Sequence, residues 1–409
     1  MKGKFLQAAV ALVMLASLGG VLGLSQQEVI RIGFIGPLSA PGAFESGIEM
    51  RMAAELAIDE INAQGGLLGK RVELVVADSQ GLPEPAKAAM ERLITKEKVV
   101  GVVGEFHSSA AIPEAKVAHE YHIPFVVAEA WSDMVTTMGY PEVFRIAPAN
   151  SMIYDQLADW IEAAGFKNVV ALIEDTDFGI GVDETLKDRL GKKGIKYTSI
   201  IAERTLLDFT PQLLQFKTMK PRPDFFLNVM TGPACFRGTK QACEIGFAPT
   251  PATGLFNAGS DALYPEFWQA VGECGKYTTV QNIGLPQRLW NARTIAFVQA
   301  FTERFGRPPT AAAMESYDAT WLMAKAIDNR LSTDPDQIIA GLERIDWVGT
   351  RGLYYFSTSH EPPYMYHQFP MVPMMVIEYT EVGQTPEDAS ILWPRVWATV
   401  EEVYIVPSR

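Results

Sequence analysis

The chain has 409 residues, with 35 Lys and Arg against 48 Asp and Glu, a formal net charge of -13, and only three cysteines. That balance excludes nucleic acid and anionic lipid as partners, since both require a basic surface. After one apolar run near the start there is no second long enough to span a bilayer, and the roughly 385 residues that follow exceed what one hydrophobic core covers, which predicts two domains.

The first residues carry Lys2 and Lys4, then an apolar run from Phe5 to Leu22, then Gly23 and Ser25. This layout predicts a secretory signal over 1–25, removed from the mature protein; a retained anchor is the alternative. Either reading puts the folded part outside the cytoplasm. No cysteine lies in or near this segment, so a lipid tether on cysteine is not expected and the mature protein should diffuse freely in a periplasm.

From Val29 onward, short β-branched runs alternate with amphipathic helical stretches, the pattern of βαβ units stacked into parallel sheets. Strands are predicted at Val29–Ile35, Val72–Ala77, Val99–Val103, Pro124–Ala128, Val169–Ile173, Lys196–Ile201, Asp224–Val229 and Tyr277–Ile283. Helices are predicted at Gly47–Ala63, Glu84–Lys96, Ala111–Tyr121, Met152–Ala164, Val182–Lys192, Ala234–Ile245, Thr294–Phe305, Ala311–Asn329 and Pro335–Leu342. In the first helix Ile48, Met52, Leu56 and Ala57 recur at three to four residues, and Gly65-Gly66 stops it. From Gly352 to the end the composition shifts to Tyr, Met, Val and Pro and reads as extended. Ala147–Asn150 and Ile283–Pro286 separate successive βα series, as in a chain that leaves one α/β domain, builds a second and returns.

Catalytic patterns are missing: there is no G-x-S-x-G, no H-E-x-x-H, no G-x-G-x-x-G after the first strand and no C-x-x-C. Gly65–Arg71 falls short of a P-loop, because Gln64 stands where the first glycine belongs and Arg71 follows Lys70. No enzymatic activity, cofactor or catalytic residue is therefore expected. His119 and His122 share helical spacing but lack a third ligand nearby in sequence, so a packed or surface pair is expected rather than a metal site. Cys235 and Cys243 lie too far apart along one helix to pair with each other, so any bridge uses Cys274; three buried thiols are the alternative.

Binding chemistry collects where strands end, which is where parallel sheets hold ligands. His107 precedes Ser108 and Ser109 after the strand Val99–Val103, so hydroxyls and free N–H groups at a helix start can take an anionic or carboxamide group. Plain capping of that helix is the alternative. Glu129, Ala130, Trp131 and Ser132 follow the next strand and offer a carboxylate, an aromatic plane and a hydroxyl.

The stretches Arg31–Ser39, Ala57–Gly66 and Gly101–Ser109 closely resemble those of periplasmic leucine/isoleucine/valine-binding proteins, and the likeness continues through Met138–Tyr140 with Phe144-Arg145, Asp175–Gly181 and Asp224–Phe247. The resemblance implies an α/β fold of the type I periplasmic binding protein: two doubly wound parallel-sheet lobes joined by three hinge crossings, closing on ligand between them. Mapped onto this chain, lobe 1 comprises 29–148 plus 285–353 and lobe 2 comprises 149–284 plus 354–409. Ser108 and Ser109 would take a carboxylate or carboxamide, Glu129 or Asp261 an amine, and Phe44, Trp131 and Phe178 would form apolar walls beside Ala130. Glu129 and Trp131 depart from the small or hydroxylated residues of the amino-acid binders, and Thr231-Gly232 stands where a tyrosine is expected. The ligand class implied is thus an amino acid, branched-chain by default, with an amide, urea or aromatic acid as the alternative. Tyr364–Gln368 is similar to an aromatic and His strand of such relatives. The function expected is the solute-binding component of an ABC uptake system, monomeric, with a membrane permease as partner; a ligand sensor for a signalling partner is the rival.

Overall fold

A computed structural model describes residues 29–407; the segment 1–25 read as a signal lies outside the described residues. The first sheet is built from β1 (Ile30–Gly36), β2 (Val72–Asp78), β3 (Gly101–Gly104), β4 (Phe125–Val127) and β5 (Val143–Arg145), in the order β2-β1-β3-β4-β5. All its pairings are parallel. Helices α1 (Phe44–Ala63), α2 (Pro83–Thr95), α3 (Ser108–Glu120) and the short α4 (Met134–Thr137) make the crossovers. Ile32, Phe34 and Ile35 are all fully buried, because a parallel strand is covered on both faces and so reads as a continuous apolar run.

The second unit contains α5 (Asn150–Ala163), β6 (Asn168–Glu174), α6 (Asp177–Lys192), β7 (Lys196–Ala202), α7 (Thr210–Thr218), β8 (Phe225–Val229), α8 (Pro233–Glu244), β9 (Gly254–Asn257), α9 (Pro265–Val271) and β10 (Thr278–Asn282). Helices α10 (Ala292–Phe305), α11 (Ala311–Arg330) and α12 (Pro335–Glu343) then return to the first sheet, followed by the hairpin β11 (Trp347–Gly349) and β12 (Gly352–Tyr354). Finally β13 (Met375–Tyr379) and β14 (Ser390–Trp393) complete a seven-stranded sheet of order β14-β13-β10-β9-β8-β6-β7, in which β13 and β14 run antiparallel. The fold is α/β, with two mostly parallel sheets.

Helix α11 lies along α1 and against β3 and β4. The alanines Ala53, Ala54 and Ala57 on α1 and Ala312 and Ala313 on α11, all without exposure, let two helices approach closely. Enclosed on all sides, α11 carries Glu315, Ser316, Asp318 and Thr320 into the interior.

Six elements ahead of the C-terminal stretch were missing from the sequence reading: β5, β9 and β11 have three, four and three residues, and α4, α7 and α9 are short, too brief for periodicity to register. The C-terminal stretch is mostly irregular, with β12, β13 and β14 as its only strands among the described residues. Residues 363–369 also stay with the first sheet: Arg145 N–H donates to the His367 carbonyl at 2.9 Å, Phe369 N–H donates to the Arg145 carbonyl at 2.8 Å, and Thr136 Oγ1 donates to the Tyr364 carbonyl at 2.6 Å. The third passage to the second sheet therefore falls between Phe369 and β13, later than the expected residue 354. No helix among the described residues is long and apolar enough to cross a membrane.

Cys243 at the end of α8 is bonded to Cys274, and Cys235 is buried as a free thiol. The bridge closes a loop of sequence separation 31. Replacing both cysteines by serine is expected to cost about 3–4 kcal/mol through the loop-closure entropy regained by the unfolded chain, read as a lower urea midpoint that reductant reproduces in the native protein. An unchanged midpoint in both cases would refute the bridge.

Candidate functional site

A narrow cavity lies between the two sheets. From the first sheet it is lined by Phe106, His107 and Ser108 beyond β3 and by Glu129 and Trp131 beyond β4; from the second by Phe178 beyond β6, Thr231 beyond β8, and Gly259 and Ser260 beyond β9. Every one of these residues follows the carboxyl end of a parallel strand, the position where open α/β sheets leave a crevice. The turn after β3 depends on Gly104, whose φ is +125° and where a Cβ would lie 2.0 Å from the Ile35 carbonyl oxygen. That turn aims Phe106 and His107 into the cleft.

Glu105 fixes the loop from below, its Oε1 accepting both the Phe106 and His107 N–H at 2.9 Å. The His107 ring is held well below the usual histidine range, first by burial and then by the Arg204 charge, so it is neutral. Its Nε2 faces the Ala43 N–H at 2.9 Å, and its Nδ1 faces Arg204 Nη1 at 2.8 Å. A neutral imidazole accepts at one nitrogen only, so both donors cannot be satisfied and the Arg204 contact is a close approach across the cleft rather than a full latch. Arg204 also donates to the Gly81 carbonyl at 3.2 Å.

Ser108 opens α3 and its Oγ accepts the Ser132 N–H at 2.9 Å, which leaves its hydroxyl proton for a ligand. Glu129 is 3% exposed. Its Oε1 accepts from Ser260 Oγ at 2.5 Å, a hydrogen bond that crosses from one sheet to the other. Trp131 meets Phe178 edge to face at a ring separation of 6.0 Å, and its buried indole N–H leans toward Glu129 without a well-formed hydrogen bond. Thr231 is tied to Glu174, donating its N–H and its hydroxyl to Oε2 at 2.8 and 2.7 Å.

Of the residues singled out from sequence, Ser108, Glu129, Trp131 and Phe178 line this cavity. Ser109, Ala130, Phe44 and Asp261 do not. Ala130 is fully buried and offers its carbonyl to Arg145 at 3.4 Å; Phe44 begins α1 and Ser109 follows Ser108 into α3, both partly buried. Asp261 sits on the short turn Asp261–Leu263 with its carboxyl behind the wall, where the Gly232 N–H reaches it. The carboxyl that faces the cavity is Glu129. Sequence reasoning missed Ser260, whose signal was the unread strand β9, and Arg204, which no motif marks.

His119 and His122 are engaged with the buried Glu142, their Nδ1 atoms 2.8 and 2.7 Å from its oxygens, and His122 Nε2 meets Asp336 on α12 at 2.8 Å. Among the described residues no cluster is arranged to hold a metal ion.

Burial raises the Asp261 carboxyl from an ordinary 3.8 to about 8. The folded state therefore binds a proton that the unfolded chain has released, so this contribution to stability is full below the unfolded value and is lost as pH rises toward the folded one. Thermal unfolding midpoints are expected to fall as pH is raised from about 5 to about 8, by no more than ~1.4 kcal/mol per unit for this group. Asp261→Asn should flatten that decline; an identical slope in the variant would refute the assignment.

Residues 29–380 match a family model described as periplasmic binding protein. A Pseudomonas aeruginosa protein named amino acid binding protein is 30% identical over 187 residues, 45% of this chain, and the match spans only 50% of that relative's length. A Brucella suis protein named Leu/Ile/Val-binding protein homolog 7 is 24% identical over 352 residues, covering 82% of this chain and 86% of the relative. Among solved structures, the branched-chain amino acid substrate-binding protein LivJ of Streptococcus pneumoniae, in complex with isoleucine, superposes with a TM-score of 0.78 at 22% identity, covering 90% of this chain and 100% of that one. A solute-binding protein of an ABC transporter from R. palustris, in complex with benzoate, gives 0.77 at 21% identity, covering 89% and 96%. Both share the fold.

Proposed function

The chain belongs to the periplasmic binding protein family, an extracytoplasmic family, and from that premise we propose that it is the solute-binding component of an ABC uptake system for an amino acid. The observation that carries the reading is the cavity at the strand ends of both sheets, which brings the Ser108 hydroxyl and the Glu129 carboxyl together with three aromatic rings. In this reading Ser108 donates to the ligand carboxylate at the start of α3, where free backbone N–H groups favour an anion. Glu129 receives the ammonium, and Trp131, Phe106 and Phe178 enclose the side chain. Delivery to a membrane permease follows closure, no bound ligand is turned over, and the mature protein is a periplasmic monomer.

A second reading, an aromatic acid, is supported by one feature. The edge-to-face Trp131–Phe178 pair with Phe106 makes an aromatic slot, and aromatic groups gain from such packing beyond simple burial.

Calorimetry of the mature protein against the branched-chain amino acids, other amino acids, benzoate and dihydroxybenzoate decides between them. Binding that survives in the presence of excess benzoate supports the first reading, displacement by benzoate the second, and silence with all of them refutes both. For the ligand that binds, Ser108→Ala is expected to weaken affinity about tenfold or more through loss of a hydrogen bond to a charged group, and Trp131→Ala by a comparable or larger factor. Ligand should also raise the melting temperature by mass action.

A further inference from the structure

Glu129 has a partner hidden from the cavity. Glu315, on α11, has no side-chain exposure, and its Oε1 accepts from Arg351 Nη1 at 2.6 Å. Glu129 Oε1 is taken by Ser260. The two oxygens left over, Glu129 Oε2 and Glu315 Oε2, are buried, hydrogen-bond to no other group, and belong to carboxyls that interact with each other. Two carboxylate oxygens have no donor between them, so a hydrogen bond there requires a proton. Charge counting points the same way: the buried carboxyls Glu129, Glu315 and Asp318 share the single guanidinium of Arg351, and a proton on the Glu129–Glu315 pair lowers that excess of negative charge in a desolvated enclosure.

The surroundings supply no further cation. Arg351 lies in the β11–β12 turn and is committed to Glu315, to the Tyr354 hydroxyl at 3.0 Å and to the Ile146 carbonyl at 2.9 Å. Asp318 on α11 is occupied by Thr350 and Tyr354. Tyr264, beyond the turn after β9, faces Glu129 on one side and Glu49 of α1 on the other, and Glu49 is itself engaged by Thr310 and Arg307. His107 beyond β3 is neutral.

We propose that Glu129 and Glu315 share one proton in the ligand-free protein, and that a ligand bearing an ammonium group expels it on binding, so that capture and proton release are one event. The proposal rests on the reading of this cavity as the ligand site. The ammonium donates to Glu129 Oε2, the O–H bond of Glu315 breaks with its electron pair remaining on Oε2, Arg351 faces the resulting carboxylate, and the proton passes to bulk solvent. One cation replaces another, and the net charge of the enclosure is unchanged. Both carboxyls lie above the ordinary glutamate range, first because of burial and then, for Glu315, because of the negative Glu129 beside it. Glu315 is thus a positioning residue that acts through Glu129. A ligand without an ammonium leaves the proton in place.

Two measurements on the mature protein test this. The infrared difference spectrum of ligand-free wild type minus Glu315→Gln at neutral pH should contain a protonated-carboxyl band, the bands of other buried acids such as Asp261 cancelling between the two; a difference spectrum without that band overturns the shared proton whatever the ligand. The glutamine variant is expected to fold, because its amide oxygen can still accept from Arg351 while its N–H groups donate to Glu129. Calorimetry with L-isoleucine in buffers of different ionisation enthalpy should then show release approaching one proton per ligand, with affinity rising up to about tenfold per pH unit while the pair titrates, and no release in Glu315→Gln. Benzoate should release none. Isoleucine binding without proton release overturns the coupling. Silence with every amino acid beside a positive infrared result overturns the ammonium step and the amino-acid reading together, and leaves the shared proton standing.

Discussion

The guanidinium of Arg351 holds three parts of the molecule to one point. It sits 3% exposed and reaches the Ile146 carbonyl where the chain first leaves the first sheet, the Glu315 carboxyl on α11, and the Tyr354 hydroxyl on β12. A buried charge is tolerated only when its donors are matched, and removing one partner costs about 3–5 kcal/mol. The strands and helices that meet at Arg351 therefore cannot drift independently, and the floor of the cleft inherits its geometry from that requirement.

Arg145 does the same for the loop beside it. Fully buried at the end of β5, it donates to Gln368 Oε1 at 2.5 Å, to the Ser132 carbonyl at 2.6 Å and to Thr136 Oγ1 at 3.1 Å. The loop that carries Glu129 and Trp131 is thereby pinned to the first sheet and to residues 363–369. Its aromatic face is set before any ligand arrives, and the conformational entropy that a ligand must overcome there is already met by folding.

Much of this architecture could be read from residues alone. Strands buried on both faces announce themselves as apolar runs, and their carboxyl ends mark a crevice, which is why Ser108, Glu129 and Trp131 were identifiable from the residues themselves, whereas Phe178 came only with the family resemblance. What resisted was whatever depends on register between distant segments. β9 is a four-residue strand between turns, so Ser260 carried no signal. Glu315 and Arg351 are the harder case, since a glutamate on a helix ordinarily marks a solvated face; only the enclosure of α11 between α1, β3 and β4 turns it inward. Asp261 failed as a cavity residue for the converse reason, because one step of chain past Ser260 on a tight turn directs its side chain behind the wall.

The contacts that hold the cleft shut are few beside those that hold each sheet together. Across it run the Ser260–Glu129 hydrogen bond, the approach of Arg204 to His107 and Gly81, the edge contact of Trp131 with Phe178, the touch of α3 on α6, the Arg307–Glu266 ion pair and the Thr310 Oγ1–Tyr264 hydroxyl contact. Net hydrogen bonds contribute about 0.5–1.5 kcal/mol each, and one of these faces an N–H donor conflict at His107, so closure without ligand is held by only a few kcal/mol. Opening need not disturb Arg351 or Arg145, whose partners lie on the first sheet and at the passages rather than across the mouth. A ligand shifts an equilibrium only by its differential affinity for the two states. In the proposed site, a ligand touching both walls at once, Ser108 and Glu129 on one side and Phe178, Thr231 and Ser260 on the other, would favour the closed state by the contacts it makes only there.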